Sequence, residues 1–535
     1  MRTRLALWWL LAAWSPLAIA LPPHDCAALA QMTLPQARIV SAAHVAAGAF
    51  VPPDVKPGAE VPPVFREAPA FCRVQVVQTP TPDSSIKVEV WLPERDWNGR
   101  FRGQGNGGFA GRADYGGLAA AIGQGQASAS TDTGHAGGDA AWALGHPEKV
   151  VDFGYRAIHL MTADAKAIVK AFYGKPIRHA YFASCSNGGR QALMEAQRFP
   201  RDYDGIVAGA PAWDWTHLLA NALGIMQHAD SAAGYIPPER LPMIAQAVLA
   251  ACDADDGVVD GVVGDPRRCR FDPETLACGR QPAASCLTTA QLATLKTIYG
   301  GARDRSGKPL YYGTMPGAED AAGGWGAWLF GPRPGANILA FFAGGYFSDM
   351  VYGDPHWNFS SVAPGVALAA ADRANADVLN AADVDLRPFF SRGGKLILFH
   401  GWNDPAISPL GTIAYRDAVI GKLGELLTRR AMRLYMVPGM LHCDGGTGAY
   451  SFGQNSTDPR GDADHDIYAA LMRWVEQGDA PERIVARRYA GSDRHVELSR
   501  PLCPYPQTAQ HDGTGAPDRA ASFDCMAAPK NRAGR

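Results

Sequence analysis

In Ala180-Tyr181-Phe182-Ala183-Ser184-Cys185-Ser186-Asn187-Gly188-Gly189-Arg190 (residues 180–190), a short apolar run meets a string of small residues and then a helix-forming segment that continues to Arg198. The apolar run suits a buried strand, and the small residues suit a tight turn. A serine on such a strand–turn–helix protrudes from the turn, with the N–H of the next residue facing a developing oxyanion. The usual pattern is G-x-S-x-G; here Ser184 stands at the first glycine, a departure that keeps a small residue. Ser186 is therefore the candidate nucleophile.

A hydrolase built this way needs an acid and then a histidine later in the chain. Lys395 to His400 is an apolar run suited to a fully buried strand, and Asp404 lies four residues beyond its end. Met432 to Val437 is a second strand, followed by Pro438-Gly439-Met440-Leu441-His442-Cys443. Order and placement favour Asp404 and His442. The competing bases are His400 and His465, and the competing acids Asp444 and Asp462.

Upstream, Lys87 to Gly103 alternates like a strand and runs into Gly103-Gln104-Gly105-Asn106-Gly107-Gly108. That spacing is not the G-x-G-x-x-G dinucleotide fingerprint. Phe153 to Phe172 carries helical spacing of apolar residues and stops at Gly174-Lys175-Pro176; further helices are expected at 411–427 and 466–476. From 214 to 390 this rhythm is lost among Gly, Pro, acidic loops and scattered aromatics. The chain thus predicts one α/β core, residues 21–213 and 391–535, interrupted by a large insertion at 214–390.

The 535 residues carry 50 basic and 52 acidic side chains, a net charge of −2, with 47% hydrophobic residues. A near-neutral balance gives no reason to expect nucleic acid or an anionic membrane as partner. Residues 1–20 read as an export signal: Arg2 and Arg4, an apolar core from Leu5 to Leu17, then Ala18-Ile19-Ala20. Export, to a periplasm or beyond the cell, implies an oxidising compartment. The ten cysteines are an even set, which suggests five disulfides. Spacing does not fix their connectivity, but the simplest local pairs are Cys252 with Cys269, Cys278 with Cys286, and Cys503 with Cys525. No C-x-x-C pair exists to favour zinc. Cys185 precedes Ser186 and Cys443 follows His442; if those two pair, a covalent bond ties nucleophile to base.

Ser-Cys-Ser-Asn-Gly-Gly-Arg at 184–190, the Cys-Ser and His-Cys neighbours, and His400-Gly401-Trp402-Asn403-Asp404 resemble the tannase and feruloyl esterase family, which includes the hydrolase of mono(2-hydroxyethyl) terephthalate. The resemblance implies an α/β-hydrolase core with a lid inserted between the nucleophile and acid strands. It implies the disulfides Cys185–Cys443 and Cys26–Cys72 beside the three local ones. It also makes Cys252 to Val262 resemble a lid calcium loop, with the carboxylates of Asp253, Asp256 and Asp260 and the carbonyls of Val258 and Val262 as ligands. Such oxygen donors suit Ca²⁺, although Gly264 stands where an EF-hand would close with Glu.

The chemistry expected is ester hydrolysis through an acyl-enzyme on Ser186, with no organic cofactor. The oxyanion would rest on the N–H of Asn187 and that of Gly108 or Gly107. Tyr346, Phe347, Trp357 and Phe359 are the expected contacts for a planar acyl group. A small aromatic ester is the expected partner: feruloyl first, galloyl second, a terephthalate monoester third. An exported aromatic-binding protein without activity and a serine peptidase are the alternatives.

Overall fold

Nine strands form one mixed sheet, in the order β1-β2-β3-β5-β4-β6-β7-β8-β9. They are β1 (Ala37–Val45), β2 (Phe71–Gln78), β3 (Ile86–Pro93), β4 (Arg100–Gln104), β5 (Ala127–Thr131), β6 (His179–Cys185), β7 (Gly205–Gly209), β8 (Lys395–Gly401) and β9 (Met432–Val437). The structure is a computed structural model and describes residues 24–279, 285–454, 461–491 and 493–527. The expected export segment at 1–20 lies outside the described residues.

The first three strands pair antiparallel, and β3 meets β5 antiparallel. From β5 through β4, β6, β7 and β8 to β9 every pairing is parallel. Parallel strands are covered on both faces, which is why β7 and β8 read as continuous small or apolar runs. The chain leaves the sheet after β7 and returns at β8. Between them lies a helical lid whose core packs as its own cluster around Trp215, Leu223, Ile244, Leu295 and Phe347. The architecture is an α/β-hydrolase core with this lid inserted between the nucleophile and acid strands.

Two helices differ from expectation. The helix expected at 411–427 is two, Pro409–Leu423 and Glu425–Ala431, parted at Gly424 with φ +84°. The helix around Phe153 opens with a π-helical turn, Asp152–Arg156, before the α-helix Ala157–Tyr173. All five disulfides form: Cys26–Cys72, Cys185–Cys443, Cys252–Cys269, Cys278–Cys286 and Cys503–Cys525.

Candidate active site

Ser186 sits between β6 and the helix Asn187–Arg198 with φ +66° and ψ −125°, a strained conformation for a residue with a side chain. The glycines after it are required by close approach. A Cβ at Gly188 would lie 1.9 Å from Ser184 Oγ, and one at Gly189 would lie 2.3 Å from the Gly209 carbonyl. Asn187 opens the helix, where the first N–H groups have no helical acceptor and the dipole is positive.

His442 Nε2 lies 2.9 Å from Ser186 Oγ, and His442 Nδ1 lies 2.7 Å from Asp404 Oδ2. Asp404 is fully buried. Its Oδ1 accepts the N–H groups of Ala406 and Ile407 at 2.8 and 3.0 Å. Burial alone would raise this carboxyl; the imidazoles of His442 and His400 outweigh it and hold Asp404 below the usual carboxylate range. His400 is thus not a rival base but a second support for the acid. Its Nε2 faces Asp404 Oδ2 at 3.2 Å and the Ile407 carbonyl at 3.0 Å, two groups that only accept, so Nε2 carries the proton. Its Nδ1 meets Thr412 Oγ1 at 2.7 Å. The other rivals lie apart: His465 pairs with Asp462 at the surface, and exposed Asp444 accepts from its neighbour Gly445.

The glycine-rich loop follows β4, and the Gly107 carbonyl accepts the Ala110 N–H to close a turn around Gly108, which has φ +56°. A Cβ at Gly108 would lie 3.2 Å from the Phe342 ring of the lid.

Of the expected substrate contacts, Tyr346 and Phe347 are corrected by the structure. Tyr346 and Phe347 are fully buried, packed on Trp215 and Trp357 respectively, and Trp357 stacks on Tyr352. Phe359 is half-buried against the same cluster, and its carbonyl accepts from Gln227. Tyr346 and Phe347 belong to the lid core, and Trp357 and Phe359 pack against it. The aromatics that face the site are Trp328, edge-on to His442 at 5.0 Å, and Phe342, stacked on Trp328 at 6.2 Å. Phe342 also meets Phe109 and the exposed Phe341. Phe341-Phe342 lies five residues before Tyr346-Phe347, well over one helical turn, so the two pairs do not share a face and only the second points into the lid interior. No motif distinguished Trp328 from its neighbours.

In the loop Asp253–Val262, both Asp253 oxygens accept loop N–H groups, from Asp260 and Gly261. Asp256 accepts from Val258, and Asp260 accepts from Val262 and is paired with Arg500. Burial, with the charges of Asp260 and Asp253 adding to it, pushes Asp256 up to about 6. Among the described residues no three His, Cys, Asp or Glu side chains are grouped as a metal cage. Its donors are all oxygens, the type a hard divalent cation takes, and here they are engaged by loop N–H groups and by Arg500.

Comparison with known proteins agrees with this geometry. The family described as tannase and feruloyl esterase matches residues 72–526. An uncharacterized esterase of Xanthomonas campestris pv. campestris is 42% identical over 537 residues, covering 94% of this chain and 92% of that one. A probable feruloyl esterase B-1 of Neosartorya fischeri is 33% identical over 464 residues, 85% of this chain and 86% of its own. The crystal structure of feruloyl esterase B from Aspergillus oryzae superposes with a TM-score of 0.85 at 28% identity, covering 94% of this chain and 99% of that one. The chain is a carboxylic ester hydrolase and belongs to the tannase and feruloyl esterase family.

Proposed function

We propose that the protein is an exported serine esterase that cleaves esters of planar aromatic acids, feruloyl esters first, through an acyl-enzyme. The observation that carries this reading is the Ser186–His442–Asp404 chain of contacts beneath the half-buried rings of Trp328 and Phe342. Ser186 attacks the ester carbonyl as His442 Nε2 takes its proton. Buried Asp404 holds the Nδ1–H tautomer and stabilises the imidazolium. The carbonyl oxygen, now negative, is met by the N–H of Asn187 and that of Gly107 or Gly108. His442 then protonates the departing alcohol, and water repeats the sequence on the acyl-enzyme.

A planar acyl ring suits the aromatic pair above His442. The relatives named feruloyl esterase B support a hydroxycinnamoyl acid ahead of gallate or a terephthalate monoester. Five disulfides support export, in line with the N-terminal signal pattern. Among the described residues no helix is long and apolar enough to cross a membrane. A structural Ca²⁺ held by Asp253, Asp256 and Asp260 with the carbonyls of Val258 and Val262 would brace the lid, away from the reacting atoms.

Hydrolysis of methyl ferulate, methyl gallate and mono(2-hydroxyethyl) terephthalate, with Ser186→Ala as control, tests the reading. Turnover of methyl ferulate above the other two, abolished in the control, is expected. Silence on all three would sink the aromatic-esterase assignment. For the metal, EGTA is expected to lower Tm and Ca²⁺ to restore it; an unchanged Tm removes the calcium proposal.

A further inference from the structure

The two expected oxyanion donors come from segments about eighty residues apart, the glycine-rich loop and the helix Asn187–Arg198. Pairing between β4 and β6 ends at Gln104 opposite Ala183, so Asn106, Gly107 and Gly108 lie beyond the last rung. Side-chain amides bridge the gap instead. The Asn106 N–H donates to Gln191 Oε1 at 3.0 Å, and Gln191 Nε2 donates to Asn106 Oδ1 at 2.7 Å. Asn106 Nδ2 donates to the Thr131 carbonyl at 2.7 Å and the Arg112 carbonyl at 3.2 Å, and Asn187 Nδ2 donates to the Asn106 carbonyl at 3.1 Å.

Every amide orientation here is forced. A backbone N–H only donates and a backbone carbonyl only accepts, so Gln191 turns its oxygen to the Asn106 N–H and its nitrogen to Asn106 Oδ1. Gly105 is part of the same fit, since a Cβ there would lie 2.6 Å from Gln191 Oε1. The helix end of the bridge is anchored by Arg190, whose Nε and Nη2 donate to Asn187 Oδ1 at 2.9 and 2.7 Å. Arg190 is fully buried and, among the described residues, has no carboxylate partner; it also donates to the Gly154 and Phe153 carbonyls of the π-helical turn.

We propose that Gln191, acting through Asn106, is a positioning residue that sets the spacing between the two halves of the oxyanion hole. The inference rests on the serine-esterase reading above. Both donors must converge on one oxygen at about 3 Å, and their contribution grows as negative charge develops. A loss of spacing therefore falls on kcat and leaves ground-state binding alone.

Gln191→Leu removes both amide contacts at similar volume. It is expected to lower kcat by about 10²-fold with KM within about threefold. The inhibition constant of an arylboronic acid, whose tetrahedral adduct on Ser186 places an oxygen in the hole, is expected to rise in parallel. That of the free aromatic acid is expected to stay unchanged. Gln191→Glu keeps an acceptor for the Asn106 N–H and is expected to retain more turnover than the leucine variant. A folded Gln191→Leu with wild-type kcat overturns the proposal, as does a loss that falls equally on kcat, KM and binding of the free acid. Should the leucine variant not fold, Gln191→Glu decides: an unchanged kcat and boronate affinity overturn the proposal. Turnover that survives in Ser186→Ala overturns the serine-esterase reading itself, which separates the two failures.

Discussion

Beneath the substrate space, Ser186, His442 and Asp404 are fixed by partly buried hydrogen bonds, each with a defined donor and acceptor, and by a disulfide next to two of them. Above it, Trp328 and Phe342 are placed by ring contacts 5.0 to 6.2 Å apart. Polar pairing in a buried site has few solutions, because an unpaired group there is costly. Aromatic packing tolerates many arrangements. The lower half is thus suited to holding chemistry constant, and the upper half to changing what is bound.

The severest way to break this comparison is Asp404→Asn, which leaves the shape and loses the charge that supports His442. A fall in kcat of about 10⁴-fold is expected; a loss below tenfold would mean that another group replaces the acid. Next comes the disulfide contrast. Cys185→Ala with Cys443→Ala is expected to lower kcat by about 10²-fold, the scale of a displacement of about 1 Å. Cys278→Ala with Cys286→Ala, which opens a short lid loop, is expected to leave kcat within about threefold. Equal losses in the two would erase the distinction between core and lid.

The aromatic assignment is sharpened by a pair. Trp328→Ala is expected to raise KM about tenfold with little change in Tm, because the ring is half-buried. Tyr346→Ala is expected to do the reverse, lowering stability by about 3 kcal/mol or more as a lid-core cavity opens. The smallest effect concerns Asp132, whose Oδ1 accepts the N–H groups of Lys87 and Gly134 and whose carbonyl accepts that of Gly111, behind the glycine-rich loop. Burial pushes this carboxyl up to about 6. A raised acid binds more protons folded than unfolded, so its contribution is present below about pH 4 and is lost as pH rises toward 6. Asp132→Asn keeps the acceptor without the charge. Its Tm relative to wild type is expected to climb by about 2–4 °C between pH 4 and 7, and a flat difference in thermal melts would contradict the assignment.

Much of the lower half was legible because its constraints are local. The β6 turn needs small residues, β7 and β8 need unbroken apolar runs, and the acid and base follow their strands in a fixed order. The cysteines beside Ser186 and His442 marked the site a second time. The upper half was not legible for the opposite reason. Phe341-Phe342 and Tyr346-Phe347 are equally aromatic, and only the path of their helix decides which pair faces the lid interior. Trp328 reaches His442 from a segment with no recognisable pattern. The Gln191–Asn106 contacts depend on tertiary proximity, as does the support His400 lends Asp404. Gly424 was visible, yet a single glycine inside a helical run does not announce a break.

The bond between Cys185 and Cys443 has a topological consequence. Residues 185–443 form a closed covalent ring, and the lid makes up most of its circumference. A protease that nicks the lid once opens the ring but releases nothing: both fragments stay joined beside Ser186 and His442 until the disulfide is reduced. The ring also cannot close until the whole insertion has been synthesised, so nucleophile and base are locked together only in a chain that already possesses its lid.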